Sequence, residues 1–121
     1  MSLISENPVL FVKHGCPFCL KVRLYLLEAG LIDTVTLRES RSPEEEDAMK
    51  AELSPHLAEV SYPTLRLGDT YMTESDDIIA HFVKEGGPAP AQLPTFQAYV
   101  DGPFKQLLAL YKENAELKQG A

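Results

Sequence analysis

A chain of 121 residues, 45% hydrophobic and 24% charged, can bury a sizeable core as one compact unit, and no repeat or low-complexity tract divides it. Its formal net charge of −7 speaks against nucleic acid and anionic membrane surfaces, which select for basic patches, and leaves small molecules and proteins as partners. No stretch approaches the roughly 20 apolar residues that a membrane span requires.

The apolar run Pro8-Val9-Leu10-Phe11-Val12 predicts a short buried strand over residues 8–12. Residues 1–10 carry no basic n-region and no uninterrupted apolar h-region, so a cytoplasmic, reducing setting is expected. Both cysteines follow the strand, in Cys16-Pro17-Phe18-Cys19, and a helix is predicted over 17–29, closed by Gly30. Pro17 suits the first helical position, which makes Cys16 the N-cap, its sulfur facing backbone N–H groups without a partner inside the helix. Those donors, with the helix dipole, favour a thiolate. Cys19 lies one turn further on, at about 5 Å in Cα separation, within the span of a disulfide.

Two other uses of this spacing fit less well. A structural zinc site needs four ligands, and besides the cysteines the chain offers His14, His56 and His81, scattered and without a second paired spacing, so no metal is expected. A purely structural disulfide would close a very short loop, and stabilisation grows with the number of residues enclosed. In a reducing compartment a lone C-x-x-C beside a βαβ pattern is more often catalytic.

Residues 34–37 predict a second strand, completing a βαβ unit. Ser42-Pro43-Glu44-Glu45 is a capping box opening a helix that runs to about Leu53, with Pro55 closing it. Strands over 64–67 and 70–72 flank Gly68-Asp69, a two-residue turn with glycine first, as type II′ prefers. Ser75-Asp76-Asp77 then opens a helix, with Ser75 as its cap, whose Ile78, Ile79, Phe82 and Val83 recur on one face until Gly86-Gly87-Pro88. The order is βαβαββα.

The first helix carries two apolar stripes, Leu20/Leu24/Leu27 and Val22/Leu26/Ala29, with Lys21, Arg23 and Glu28 on narrow polar edges. One stripe covers a sheet, so the other needs a second cover. Beyond the Pro88-Ala89-Pro90 linker, Phe96, Tyr99 and Val100, then Phe104, Leu107, Leu108, Tyr111 and Ala115, have helical spacing, broken at Gly102-Pro103. The expectation is a helical tail over 96–117 that buries Phe104, Leu108 and Tyr111 on the first helix, within one chain or across a homodimer.

With C-P-F-C at the end of its first strand, this order resembles the α/β thioredoxin-like fold in its glutaredoxin and glutathione-transferase N-domain form, with a mixed four-stranded sheet. Lys13 stands three residues before Cys16, as the glutathione-contacting lysine does in many glutaredoxins. Ser61-Tyr62-Pro63-Thr64 lies where these families carry a cis-proline segment, and Glu74-Ser75-Asp76-Asp77-Ile78 resembles the Glu-Ser-x-x-Ile signature of glutathione transferases. The resemblance covers about residues 7–86. It implies a domain over 1–87 and a linker with a C-terminal helical extension over 88–121.

The resemblance also implies roles. Cys16 is the nucleophile and Cys19 the resolving cysteine of a glutathione-dependent thiol-disulfide oxidoreductase, with glutathione as co-substrate and glutathionylated or disulfide-bonded proteins as partners. Tyr62, ahead of a cis Pro63, pairs its main chain with glutathione as an added strand would. Ser75, at a helix start, meets the γ-glutamyl carboxylate, and Glu74 or Asp76 the ammonium group. Lys13 takes the glycyl carboxylate, and Phe18, where many glutaredoxins have tyrosine, completes the set. Thr73-Glu74, in place of the Gly-Gly pair of glutaredoxins, pulls toward the transferases, whereas Cys19 points back to thiol exchange. A cysteine-type glutathione transferase and a glutathione-binding or docking module with little turnover are the alternatives.

Overall fold

The computed structural model describes residues 7–120, with side chains through residue 115. Residues 1–6 of the leader reading and the side chain of Leu117 lie outside the described residues. Four strands, β1 (Val9–Lys13), β2 (Thr36–Ser40), β3 (Thr64–Leu67) and β4 (Thr70–Met72), form one mixed sheet in the order β2-β1-β3-β4. β1 runs parallel to β2 and antiparallel to β3, and β3 and β4 make the hairpin. Gly68 has φ +60° while Asp69 keeps a negative φ, as a type II′ turn requires. The thioredoxin-like fold expected from the sequence is present.

Helices α1 (Pro17–Glu28) and α3 (Ser75–Lys84) cover one face of the sheet, and α2 (Pro43–Leu53) covers the other. β1 divides the core by alternation: Leu10 and Val12 face α1 and α3, Val9 and Phe11 face Met49 and Leu53 of α2. α1 ends in a Schellman motif, in which Gly30 N–H donates to Leu27 and Leu31 N–H to Leu26, with Gly30 at φ +76°. At α2, Ser42 Oγ accepts from Glu45 N–H, but the Glu45 carboxylate takes Arg41 N–H instead of closing the box on Ser42. Among the described residues no helix is long and apolar enough to cross a membrane.

Four expectations need correction. The second strand begins two residues later than 34–37 and runs to Ser40, because residues 32–34 form a single 3-10 turn and the parallel register pairs Val9 with Thr36 and Lys13 with Ser40. It is an edge strand bearing Arg38 and Glu39, so hydrophobicity does not mark its end. Ser75 does not cap α3: Glu74 holds the cap position at φ 71°, and Ser75 is the buried first helical residue.

On α1, Leu20 and Leu27 do not form a buried stripe; Leu27 is 62% exposed. The second buried edge is Lys21 and Tyr25, continued by Glu28, because each of these polar groups finds a partner in α3 or the tail. The Tyr25 hydroxyl donates to the Pro88 carbonyl at 2.8 Å, and its ring meets Phe96 edge-on at 5.9 Å.

The tail forms α4 (Pro94–Tyr99), a wide π-helical turn over Val100–Phe104 containing Gly102-Pro103, and α5 (Lys105–Gly120). Phe104 is buried as expected and Phe96 is buried with it, but Leu108 and Tyr111 are not; Tyr111 is 48% exposed. α5 follows this wide turn, and its Leu107 and Tyr111 line the cleft over Cys16 together with Leu20 of α1.

Candidate active site

β1 ends at Lys13, and three residues later the chain enters α1 through Cys16, whose extended backbone (φ −87°, ψ 118°) makes it the N-cap, with Pro17 in the first turn. The Cys16 Sγ accepts the backbone N–H of Cys19 at 3.3 Å. Cys19 is buried, and its own sulfur accepts the Lys13 N–H at 3.5 Å. Both cysteines are free. The Cys19 thiol, donating to Cys16, is the largest influence on Cys16; with the N–H groups of Cys19 and Phe18 and the charge of Lys13 it outweighs partial burial and lowers the Cys16 thiol from 9.0 to about 6. The same hydrogen bond, together with burial, drives Cys19 far up. One sulfur is made a thiolate and the other a proton donor.

The Tyr62–Pro63 bond is cis, and the Tyr62 carbonyl lies 3.9 Å from Cys16 Sγ. A recess of about 180 Å³ joins Phe18, Tyr62, Pro63, Glu74 and Ser75, so five of the residues singled out in the sequence converge on one side of Cys16. Phe18 also stacks edge-on against Phe104 at 5.2 Å. Asp76 and Lys13 stand apart from that recess: Asp76 is bound by Lys21 of α1, and Lys13 pairs with Glu46 at 3.3 Å.

On the other side of Cys16 a cavity of about 770 Å³ opens toward the tail, walled by Leu20, Tyr99, Leu107 and Tyr111 and rimmed by Lys13 and Arg41. Tyr99 reaches the motif directly, its hydroxyl donating to the Pro17 carbonyl at 2.9 Å. At the rim, Glu39 receives His14 and Arg23, each at 3.4 Å, and Arg41 at 3.2 Å. Burial pushes the Glu39 carboxyl up, but these partners prevail and hold it below its ordinary range. Sequence reasoning did not assign Tyr99, Glu39 or Arg41 to the site. For Glu39 and Arg41 a signal existed: in a parallel pair both C-terminal ends emerge together, so a strand carried through Ser40 brings Glu39 and Arg41 beside the cysteines. Tyr99 has no such local signal. Among the described residues, no three His, Cys, Asp or Glu side chains converge as a metal site.

A family model described as glutathione S-transferase, N-terminal domain, matches residues 10–90. Among solved structures, a glutathione S-transferase from the Antarctic clam Laternula elliptica is 22% identical with a TM-score of 0.55, over 66% of this chain and 35% of that one. A glutathione transferase family member from Pseudomonas fluorescens, solved with bound glutathione, is 28% identical with a TM-score of 0.52, over 69% and 40%. Oxidised glutaredoxin 2 from Chlamydomonas reinhardtii is 19% identical with a TM-score of 0.50, over 85% and 79%. The clam and algal likenesses are of fold alone. The chain spans less than half the length of these transferases. No curated protein matches it in sequence.

Proposed function

Because the chain belongs to the family of glutathione S-transferase N-terminal domains, we propose that it is a glutathione-dependent thiol-disulfide oxidoreductase of the glutaredoxin type, working in a reducing, cytoplasmic compartment. The observation that carries the reading is the sulfur pair: a lowered Cys16 at the helix N-cap, served by the thiol and N–H of a buried Cys19. The Cys16 thiolate attacks the glutathionyl sulfur of a mixed disulfide, forming a Cys16–glutathione disulfide as the substrate thiolate leaves. A glutathione thiolate then attacks the glutathionyl sulfur, releasing glutathione disulfide and restoring Cys16. Alternatively Cys19 gives up its proton and attacks Cys16, releasing glutathione and closing a Cys16–Cys19 disulfide that two glutathione molecules reduce. A low Cys16 pKa serves both halves, since the thiolate is the attacking form and also the better leaving group.

Glutathione lies, in this reading, along the recess beside Cys16. The Tyr62 main chain pairs with its cysteinyl part, and Phe18 and Pro63 flank it. Ser75 at the start of α3 takes the γ-glutamyl carboxylate, Glu74 or Asp76 the ammonium, and Lys13 the glycyl carboxylate. Residues 1–87 form the glutathione-binding unit and 88–121 its extension.

The cavity between Cys16 and α5 supports a second reading, conjugation of glutathione to a small electrophile by a cysteine-type transferase. One comparison separates them: glutathione-coupled reduction of a small mixed disulfide, run beside thioredoxin reductase and a panel of electrophiles. The oxidoreductase reading expects turnover of the mixed disulfide with glutathione and little with thioredoxin reductase. Conjugation without disulfide reduction would favour the transferase, and glutathione binding without either activity a docking module.

A further inference from the structure

The two inner residues of the Cys16–Cys19 motif are both held by the tail, which the thiol chemistry above does not use. The Tyr99 hydroxyl donates to the Pro17 carbonyl at 2.9 Å, and the Phe18 ring meets the buried Phe104 ring edge-on at 5.2 Å. Tyr99 and Phe104 support each other, with ring centroids 5.6 Å apart. One turn earlier in α4, Phe96 is buried against Tyr25 and fixes the helix that presents Tyr99.

What the Tyr99 hydroxyl holds is one side of a peptide group whose other side serves the nucleophile. Cys16 is the N-cap of α1, so Pro17 and Phe18 fill the first two helical positions, and an N-cap side chain accepts from the N–H of the second or third. The second is Phe18, whose N–H lies in the same planar peptide as the Pro17 carbonyl. Behind the Cys19 thiol and the Cys19 N–H, it is the third group that lowers the Cys16 thiol. The Cys19 N–H, which reaches Cys16 Sγ at 3.3 Å, belongs to the next peptide. A donor on a carbonyl oxygen draws electrons through the conjugated peptide and strengthens its N–H as a donor, the cooperativity of hydrogen bonds in series. We infer that Tyr99 is a positioning residue for the nucleophile: through the Pro17–Phe18 peptide it directs and strengthens the Phe18 N–H toward the Cys16 sulfur, so that the tail takes part in activating the thiolate.

The groups involved can meet this demand. A carbonyl accepts twice, so the Pro17 oxygen takes the hydroxyl beside a helical N–H. Burial, and then the charge of Cys16 itself, hold the Tyr99 phenol above its ordinary 10.0, so it remains a donor while the thiol ionises. The inference rests on the proposed function only for what the thiolate attacks. Its test uses neither glutathione nor a disulfide, so either can fail while the other stands.

The test compares the full chain with Tyr99→Phe, which keeps the ring against Phe104 and forfeits one hydrogen bond, so the fold survives. Besides Cys19, the charged and titratable groups facing Cys16, from Lys13 and His14 through Arg23, Glu39 and Arg41 to Tyr111, are unchanged in the variant, so a shift reads the lost hydroxyl. The Cys16 thiol should titrate about half a pH unit higher, the size expected when one hydrogen bond to a charged sulfur weakens by roughly a quarter. Alkylation by iodoacetamide, in which the Cys16 sulfur displaces iodide, should be about twofold slower at about pH 5, where fewer thiolates outweigh their greater nucleophilicity. At about pH 8, where Cys16 is ionised in both proteins, the variant should react about 1.5-fold faster, so the two rate profiles cross. In the amide spectrum the Phe18 proton should move upfield while the Cys19 proton, in the next peptide, keeps its position. A general loosening of the motif would move both. An unchanged Cys16 titration, or equal shifts of the Phe18 and Cys19 amides, would overturn the inference.

Discussion

Glu28 and Phe96 are joined across 68 positions of sequence: the carboxylate Oε1 accepts the Phe96 N–H at 2.7 Å, while Oε2 accepts the Thr95 N–H at 3.0 Å. A glutamate in the last turn of α1 sits at the wrong end of its own helix dipole. At the N-terminus of α4, where Leu93 has no side chain to cap with, the same charge is favourable. One residue thus offsets a local cost by fastening the tail to the body.

Glu28→Ala should therefore destabilise the protein by about 1 kcal/mol, as loss of a helix cap does. The loss should concentrate in the tail, with faster protease cleavage within residues 94–104. Urea denaturation and limited proteolysis measure both. An unchanged midpoint with an unchanged cleavage rate would show that the contact contributes nothing.

The Cys16 thiol should titrate near a pH of about 6, followed by the ultraviolet absorbance of the thiolate. Cys19→Ala removes the largest lowering influence and should move the step upward. The sign for stability follows from the thiol's being lower in the folded state than its ordinary 9.0. The reduced fold gains stability as pH rises from about 6 toward 9.0, and loses it as pH falls back through about 6. Melting temperatures of reduced wild type and Cys16→Ser across this window should converge at its acid end. A parallel course throughout would contradict the lowered thiol.

Ser75 and Lys13 stand at opposite ends of the proposed glutathione site. Ser75→Ala and Lys13→Ala should each weaken glutathione binding without unfolding the chain, by about tenfold if each removes one hydrogen bond to a charged group. Because Lys13 is engaged by Glu46, Glu46→Gln should bring binding closer to its limit. Calorimetric titration decides each residue separately, and an unchanged affinity removes that residue from the site.

What the sequence made legible is what local chemistry determines. Cys16 as N-cap follows from Pro17 one residue on, the helix stop at Gly30 from its freedom at positive φ, and the hairpin from Gly68-Asp69. The hidden part rests on pairs brought together only by the fold: Lys21 with Asp76, Tyr25 with Pro88, Glu28 with Phe96, and Tyr99 with Pro17. Periodicity assigns polar groups outward, so it set Lys21 and Glu28 on a solvated edge and left Tyr25 out of both stripes. It also counted Leu20 and Leu27 as core, although an exposed leucine costs little and needs no partner.

Those corrections make the tail's anchorage specific. Phe96 lies against Tyr25, and Phe104 beneath Phe18 and Lys21, whereas Leu108 and Tyr111 stay outside the core. Phe96→Ala and Phe104→Ala should each cost about 3–5 kcal/mol, as deletion of a buried ring does. Leu108→Ala and Tyr111→Ala should stay within about 0.5 kcal/mol. Chemical denaturation of the four variants checks the pattern. Equal losses in all four would mean that α5 packs along α1 after all.

The central claim is a division of labour between two sulfurs, and steady-state reduction of a glutathione mixed disulfide by Cys16→Ser and Cys19→Ser, side by side, tests it most directly. Cys16→Ser should abolish turnover, because the half-buried N-cap sulfur is the attacking atom. Cys19→Ser should retain much of it, because glutathione resolves the mixed disulfide without the buried sulfur and a serine hydroxyl still donates to Cys16. Equal loss in both variants, or turnover surviving in Cys16→Ser, would contradict the account.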